Sequence, residues 1–323
     1  YTGTGASQTI RGVGFQPDFL IVKPRSNSGN HSSMNAITGA GNTLYTNDDN
    51  AEIDYTAYIT DFDADGFDTG TEGGVVNYTD YTYVAWNWKA NGSGSSNEDG
   101  TINTTSTSAN TSAGFSISTY TGTGSDATVG HGLSQAPELF IVKSRDTAYN
   151  WGVYSSALTS ADYALQLNTT IAQSNTWDYW NDLDPTSSVI NIGTENGSND
   201  SGDKYILYCF HSVEGYSKIG SYEGNANADG AFVYCGFRPA FVMTKNIDAS
   251  GQNWMMFDNK RDTYNLSENR LRANDSAVEG SDNDMDILSN GFKLRTGDQS
   301  SNGSESLIFI AFAETPFKYA NAR

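Results

Sequence analysis

The side chains whose spacing best suits chemistry are carboxylates. Asp61, Asp63 and Asp65 alternate along the chain, Gly66 follows, and Glu72 stands six residues after the glycine. Acidic residues at loop positions 1, 3 and 5, glycine at 6 and glutamate at 12 form the EF-hand pattern, in which oxygen ligands gather round calcium. Three neighbouring carboxylates repel one another, and a cation would relieve that repulsion. Against this, no helical pattern flanks the segment, and Asp65-Gly66-Phe67 has a counterpart in Asn290-Gly291-Phe292. Asp-Gly and Asn-Gly are hairpin-turn dipeptides. The expectation is a turn between strands, with Asp61, Asp63, Asp65 and Glu72 kept as a candidate calcium site and no other cofactor.

A second constellation is aromatic: Trp177, Asp178, Tyr179, Trp180, Asn181 and Asp182. The run lies in a polar stretch and lacks strand alternation. Exposed rings beside amide and carboxylate groups can hold a sugar, with CH groups on the ring face and hydroxyls on the polar groups. These six residues are therefore a candidate glycan contact; the competing reading packs a Trp inward as a lid on the core. No catalytic residues are expected. His31, His131 and His211 are scattered and fit no His-Glu-x-x-His pattern, and there is neither a Gly-x-Ser-x-Gly elbow nor a phosphate loop. Glycan cleavage needs two carboxyls at a set separation, and nothing singles out such a pair. Cys209 and Cys235 lie in apolar strand-like runs and read as buried thiols, with one bridge between them as the alternative.

What would position these residues is one pattern written three times. Tyr1-Thr-Gly-Thr-Gly5 returns as Tyr120-Thr-Gly-Thr-Gly124 and, weaker, as Tyr222-Glu-Gly-Asn-Ala226. Pro17, Pro137 and Pro239 follow, and six residues beyond each proline an apolar run ends on Lys23, Lys143 or Lys245. Second runs close the units: Tyr83-Val-Ala-Trp86, Leu207-Tyr-Cys-Phe210 and Phe309-Ile-Ala-Phe312. Short runs rich in β-branched and aromatic residues, bounded by Gly, Asn, Asp, Ser and Pro, are strands. The middle unit gives six: 115–120, 139–143, 151–154, 163–167, 189–192 and 205–210. The expected fold is all-β, three tandem antiparallel β-sandwich-like repeats over residues 1–112, 113–218 and 219–323. Residues 89–114, rich in Gly, Ser, Thr and Asn, are either a linker or a long exposed hairpin. The opening reads as the end of a strand, so the chain is expected to begin partway through a longer protein.

Composition narrows the function classes. The chain has 323 residues, 18 Lys and Arg against 38 Asp and Glu, a net charge of −20, and 12% aromatics. That aromatic content argues against an acidic disordered chain. The charge argues against nucleic acid as a partner, because it repels phosphate. No apolar run reaches about 18 residues, so insertion of a helix into a membrane is not expected.

Several segments carry a family resemblance: Gly14-Phe-Gln-Pro-Asp-Phe-Leu-Ile-Val-Lys23, Tyr83-Val-Ala-Trp-Asn-Trp-Lys89, Val129-Gly-His-Gly132, Tyr208-Cys-Phe-His-Ser-Val-Glu-Gly-Tyr-Ser217, Gly220-Ser-Tyr-Glu-Gly224 and Ala311-Phe-Ala-Glu-Thr-Pro-Phe317. Together the chain resembles an uncharacterised C-terminal domain family of tail-fibre-like and other virion structural proteins of phages, many of them marine. The resemblance covers essentially the whole chain. It implies no established catalytic residues, a preceding concanavalin-like or SPRY-like domain, a place on the extracellular virion surface, other virion proteins as partners and, by analogy with fibres, a homotrimer. The expected function is fibre-like display for attachment to host-surface glycans. The alternatives are a capsid decoration protein without a receptor, a glycan-cleaving tail protein, and a cellular extracellular adhesin.

Overall fold

The run Phe19-Leu-Ile-Val-Lys-Pro24 has almost no polar positions because both of its faces are covered. In the computed structural model, which describes residues 1–71, 74–281 and 285–315, Phe19 and Ile21 point into one core while Leu20 and Val22 point into another. The same division separates Leu139 and Ile141 from Phe140 and Val142, and Phe241 and Met243 from Val242. Strands buried on both faces lose polar–apolar alternation and read as continuous apolar runs.

Three larger antiparallel sheets are built round these strands. In the first the order is Ile53–Asp54, Gly39–Tyr45, Ser32–Asn35, Phe19–Pro24, Tyr83–Trp88. In the second it is Leu165–Gln166, Gly152–Ser155, Leu139–Ser144, Lys204–Phe210, Phe115–Thr121, Ser106–Asn110. In the third it is Ser217–Glu223, Ser306–Ala313, Pro239–Asn246, Met255–Asp258, Leu271–Arg272. A smaller sheet accompanies each: Gln8–Arg11, Gly66–Thr69 and Ile59–Asp63; Ala127–Gly130 and Val189–Ile192; Phe232–Tyr234, Gly291–Leu294 and Met285–Leu288. The fold is all-β and sandwich-like. All six strands expected between residues 115 and 210 form. Residues 89–114 are not a free linker, since Ser106–Asn110 pairs with Phe115–Thr121, Ser95 bridges to Thr107 and Ile102 to Val129. The expected boundary at 112/113 therefore falls inside a hairpin.

Three apolar cores lie within the sandwiches, and a fourth joins them. The fourth holds Phe19, Trp86 and Trp88 with Phe115, Trp151 and Phe210, and with Phe241, Trp254 and Phe312. Rings meet across the sheets: Trp88 and Phe312 have centroids 5.8 Å apart, Phe210 and Phe312 6.1 Å, Phe19 and Tyr208 4.4 Å. Burying each such side chain is worth roughly 1.5–3 kcal/mol, so the three bodies are not beads on a string.

The seams between the bodies close on themselves. The Glu52 N–H donates to the Arg145 carbonyl at 2.8 Å, that of Glu279 to Arg25 at 3.2 Å, and that of Gln173 to Ile247 at 2.8 Å. Thus the second body meets the first, the first meets the third and the third meets the second. Two seams add an ion pair, Arg145–Glu52 at 2.5 Å and Arg25–Glu279 at 2.8 Å. The third carries Ile247 opposite Gln173, whose Nε2 donates to Asp248 at 3.0 Å.

Inside each body a buried asparagine ties loops together. Oδ1 of Asn77, Asn199 and Asn302 accepts from the N–H of Thr4, Thr123 and Asn225. Their Nδ2 groups donate to two carbonyls each: Ala6 and Gly70, Ser125 and Gly193, Asn227 and Thr296. The tyrosines of the recurring motif finish the clamp. Tyr1, Tyr120 and Tyr222 hydroxyls donate to the carbonyls of Val76, Ser198 and Ser301, each at 2.6 Å. The glycine two residues after each tyrosine allows close backbone approach: a Cβ on Gly122 would sit 2.2 Å from the Asp200 carbonyl oxygen.

Candidate functional site

The acidic segment forms a hairpin. Asp63 pairs with Gly66 across Ala64 and Asp65, and Leu288 pairs with Gly291 across Ser289 and Asn290 in the corresponding turn. Gly66 is required because a Cβ there would lie 1.9 Å from the Ile10 carbonyl oxygen on the adjoining strand. The carboxylates have partners within the protein. Asp65 accepts from the N–H groups of Gly12 at 3.2 Å and Gly14 at 2.6 Å, Asp63 pairs with Arg11 at 3.2 Å, and Asp61 accepts from the Phe62 N–H at 2.9 Å. No group of three or more His, Cys, Asp or Glu among the described residues is placed to hold a metal ion. Glu72, the fourth residue of the calcium reading, lies outside the described residues.

The aromatic run turns mostly inward, which corrects the expectation of an exposed platform. Tyr179 and Trp180 are 2% and 1% exposed and belong to the second sandwich core. Trp180 packs edge-on against Phe140, with centroids 4.7 Å apart. Trp177 is partly buried against the same core. Asp178 accepts from the Thr194 N–H at 2.8 Å and from its hydroxyl at 2.7 Å, which fixes the loop. Asn181 and Asp182 hold positive φ of 51° and 52°. Burying large rings outweighs displaying them, because this sandwich has a small sheet of two strands and the loop supplies the missing cover.

The histidines and cysteines have structural seats. His131 Nδ1 accepts from the Leu133 N–H at 3.1 Å and Nε2 lies 3.1 Å from the Thr186 carbonyl, while burial lowers its pKa. His211 Nδ1 lies 3.0 Å from the Ser212 carbonyl. His31 is buried, and its pKa falls to about 3 through lost hydration and then the nearby Lys23 charge. Both cysteines are free and buried. Burial raises the Cys209 thiol far above its ordinary value and pushes Cys235 up to about 12. Neither is a thiolate near neutral pH, so neither is a ready nucleophile.

In the sequence Lys23, Lys143 and Lys245 are landmarks of the recurring pattern. All three are completely buried. Each ammonium donates to the carbonyl of the next residue, Pro24 at 2.9 Å, Ser144 at 2.7 Å and Asn246 at 2.7 Å. Burial lowers the pKa to about 8, 8 and 7 respectively.

A surface site missed by the sequence reading lies where the second large sheet hands over to the third. A groove of about 390 Å³ is lined by Ser212, Glu214, Ser217, Lys218, Tyr234 and Cys235, with Gly215 and Gly236 in its walls. The turn is fixed from inside: the Ser212 N–H donates to Glu138 at 2.5 Å, the Tyr216 N–H to the Val213 carbonyl at 2.9 Å, and Gly215 takes φ of 78°. On the other wall, Phe232-Val-Tyr234 alternates. Val233 is 5% exposed, while Phe232 and Tyr234 are 48% and 65% exposed. The groove thus offers hydroxyls, one carboxylate, one ammonium and an aromatic ring, the equipment for a neutral polyol with an apolar face. The alternation of Phe232-Val-Tyr234 was the available signal, since period two sends both rings to one side.

A family model described as a domain of unknown function, DUF7483, matches residues 1–316. The chain belongs to this family. The match runs through all three large sheets, so the DUF7483 domain is the whole closed assembly rather than one sandwich. No curated protein and no solved structure matches the chain.

Proposed function

We propose that this DUF7483 chain is a phage virion-surface protein, fibre-like, made of three like β-sandwich units closed in a ring, and that it touches host-surface glycans through the Tyr234 groove. The observation that carries the glycan reading is the exposed Tyr234 ring beside Ser212, Glu214 and Lys218. The threefold reading draws on the matching strand orders, the three asparagine clamps and the three buried lysines. The virion location draws on the phage-family resemblance of the segments from Gly14 to Phe317. The groove brings a single carboxylate among its described lining residues, whereas glycoside cleavage uses two, so we read it as a binding site. Contacts at one shallow groove are weak, and several copies on a particle would turn them into avidity.

The test pairs wild type with Tyr234→Ala in binding to host cells and to a glycan array, using multimerised protein, with antibody labelling of the particle. Expected are labelling at an exposed virion position and binding weakened at least tenfold by the substitution. Equal binding by the two proteins overturns the groove. Binding to no cell or glycan by multimerised wild type overturns attachment, and labelling of the head shell in that case supports a decoration protein instead.

A further inference from the structure

The three large sheets turn matching residues toward a common axis. Phe19, Leu139 and Phe241 form one level of the shared core, and Ile21, Ile141 and Met243 form the next. Between the sheets these levels leave a cavity of about 50 Å³. By the water-sized measure that is room for roughly three to four water molecules. The lining contains no charged residue. Two of its polar side chains direct their donors elsewhere: the Thr46 hydroxyl donates to the Ala273 carbonyl at 3.0 Å, and the Trp151 indole N–H to the carbonyls of Tyr45 and Asp48, both at 3.0 Å. Water needs two to four polar partners to settle in such a space, and an apolar cavity stays dry and accepts apolar guests. Ile21, Ile141 and Met243 are the lining residues that keep partial exposure, so the free surface of the cavity lies at their level.

We infer that this axial cavity is a binding site for one small neutral apolar guest of the size of a xenon atom, since it has about a third of the roughly 150 Å³ that holds benzene elsewhere. The inference is independent of the glycan reading, which concerns the outer face of the third body. Aromatic edges and the Met243 and Met256 side chains line the space, and the polarizable thioethers suit a small apolar guest. One wall shows how the site can be closed. Thr46, Leu167 and Ala273 directly follow the strands Gly39–Tyr45, Leu165–Gln166 and Leu271–Arg272, and each lines the cavity. Only the second body places a large residue there, so leucine at position 273 fills space with a side chain the fold already uses at the matching position.

The experiment is methyl-labelled NMR of the full chain under increasing xenon pressure. Expected are saturable shifts of the Ile21, Ile141 and Met243 methyl signals, with methyl groups of the three sandwich cores unmoved, and a raised melting temperature under xenon. Ala273→Leu is expected to keep or raise the melting temperature and to lose these shifts. Absence of saturable shifts in wild type, shifts spread over the sandwich cores, or undiminished shifts in folded Ala273→Leu would each overturn the site. The wild-type shift map decides the matter should the variant fail to fold.

Discussion

His31 and Trp86 lie face to face, with ring centroids 6.5 Å apart and planes 8° from parallel. The pair is an exchange of volume. The backbone N–H of His31 donates to Asn47, that of Trp151 to Asn168 and that of Trp254 to Asn274, so the three residues hold matching seats. Opposite them, Trp86 pairs with Ile21 where Tyr208 pairs with Ile141 and Ile310 with Met243. The first body carries its large ring on the partner strand and a small one in the seat.

From this, His31→Trp alone overpacks the seam and lowers stability by about 1–3 kcal/mol. Trp86→Ile alone leaves a cavity and costs less than a Trp→Ala truncation, which is worth about 3–5 kcal/mol. The double variant recreates the arrangement of the third body and loses clearly less than the two single losses together. A double-mutant cycle from denaturant melts measures the coupling, and strict additivity would refute the exchange.

Lys245 sets a pH dependence. Burial alone pulls its pKa down to about 7, whereas Asp275 and Glu279 face Lys23, and Asp49, Asp48 and Asp203 face Lys143, both of which stop at about 8. Above pH 7 the unfolded chain still binds the Lys245 proton while the folded chain releases it, so this residue makes stability rise from about pH 7 toward 10. Below pH 7 both states are protonated and the burial penalty is constant. Lys245→Met removes that penalty and flattens this part of the curve, and melting temperature against pH for the two proteins would expose the idea as wrong if the curves ran parallel.

The asparagine clamp is costly to break. Asn199→Ala strips one N–H and two carbonyls of their partners, and each buried orphan costs about 1–3 kcal/mol, so a loss of roughly 3 kcal/mol or more is expected in thermal or denaturant melts. Asn199→Asp, which keeps the acceptor and loses both donors, should fall short of rescue.

Ala226 offers a gain. It holds φ of 49°, where Gly5 and Gly124 hold 68° and 71° at the matching turns. A left-handed non-glycine residue is strained by about 1–2 kcal/mol, so Ala226→Gly should raise stability by about 0.5–1 kcal/mol despite the freer unfolded chain. A lowered melting temperature would contradict the assignment of strain.

The acidic hairpin makes a separable claim. Asp65→Ala leaves the Gly12 and Gly14 amides without their acceptor and should lower the melting temperature modestly. Calcium or a chelator should shift wild type and variant equally little, because the three carboxylates already have partners within the chain. A calcium-dependent rise present in wild type and absent in Asp65→Ala would restore the cation reading.

How much was legible follows from range. The inner strands were readable because Leu139-Phe-Ile-Val is apolar on both faces, and the six strands of the middle body fell where composition put them. The all-β class followed. The inward turn of Tyr179 and Trp180 was not readable, because whether a ring packs or projects depends on a gap left by a sheet elsewhere in the chain. The groove was hidden for a similar reason: Ser212 to Lys218 and Tyr234 meet only through the turn between two bodies. Lys245 showed the sharpest limit. Its spacing from Pro239 was plain, yet a lysine at a strand end ordinarily reads as solvent-exposed, and its complete burial comes from packing that the spacing does not carry.

The closed seams have one more consequence. A linear array of modules melts from its ends, because the last module has one neighbour and the inner ones have two. Here Arg145 meets Glu52, Arg25 meets Glu279 and Ile247 meets Gln173, so every body has two neighbours and there is no terminal one to fray. Loosening any body exposes two seams and the shared aromatic core at once. The chain should therefore hold together until it fails as a whole, in a single sharp transition.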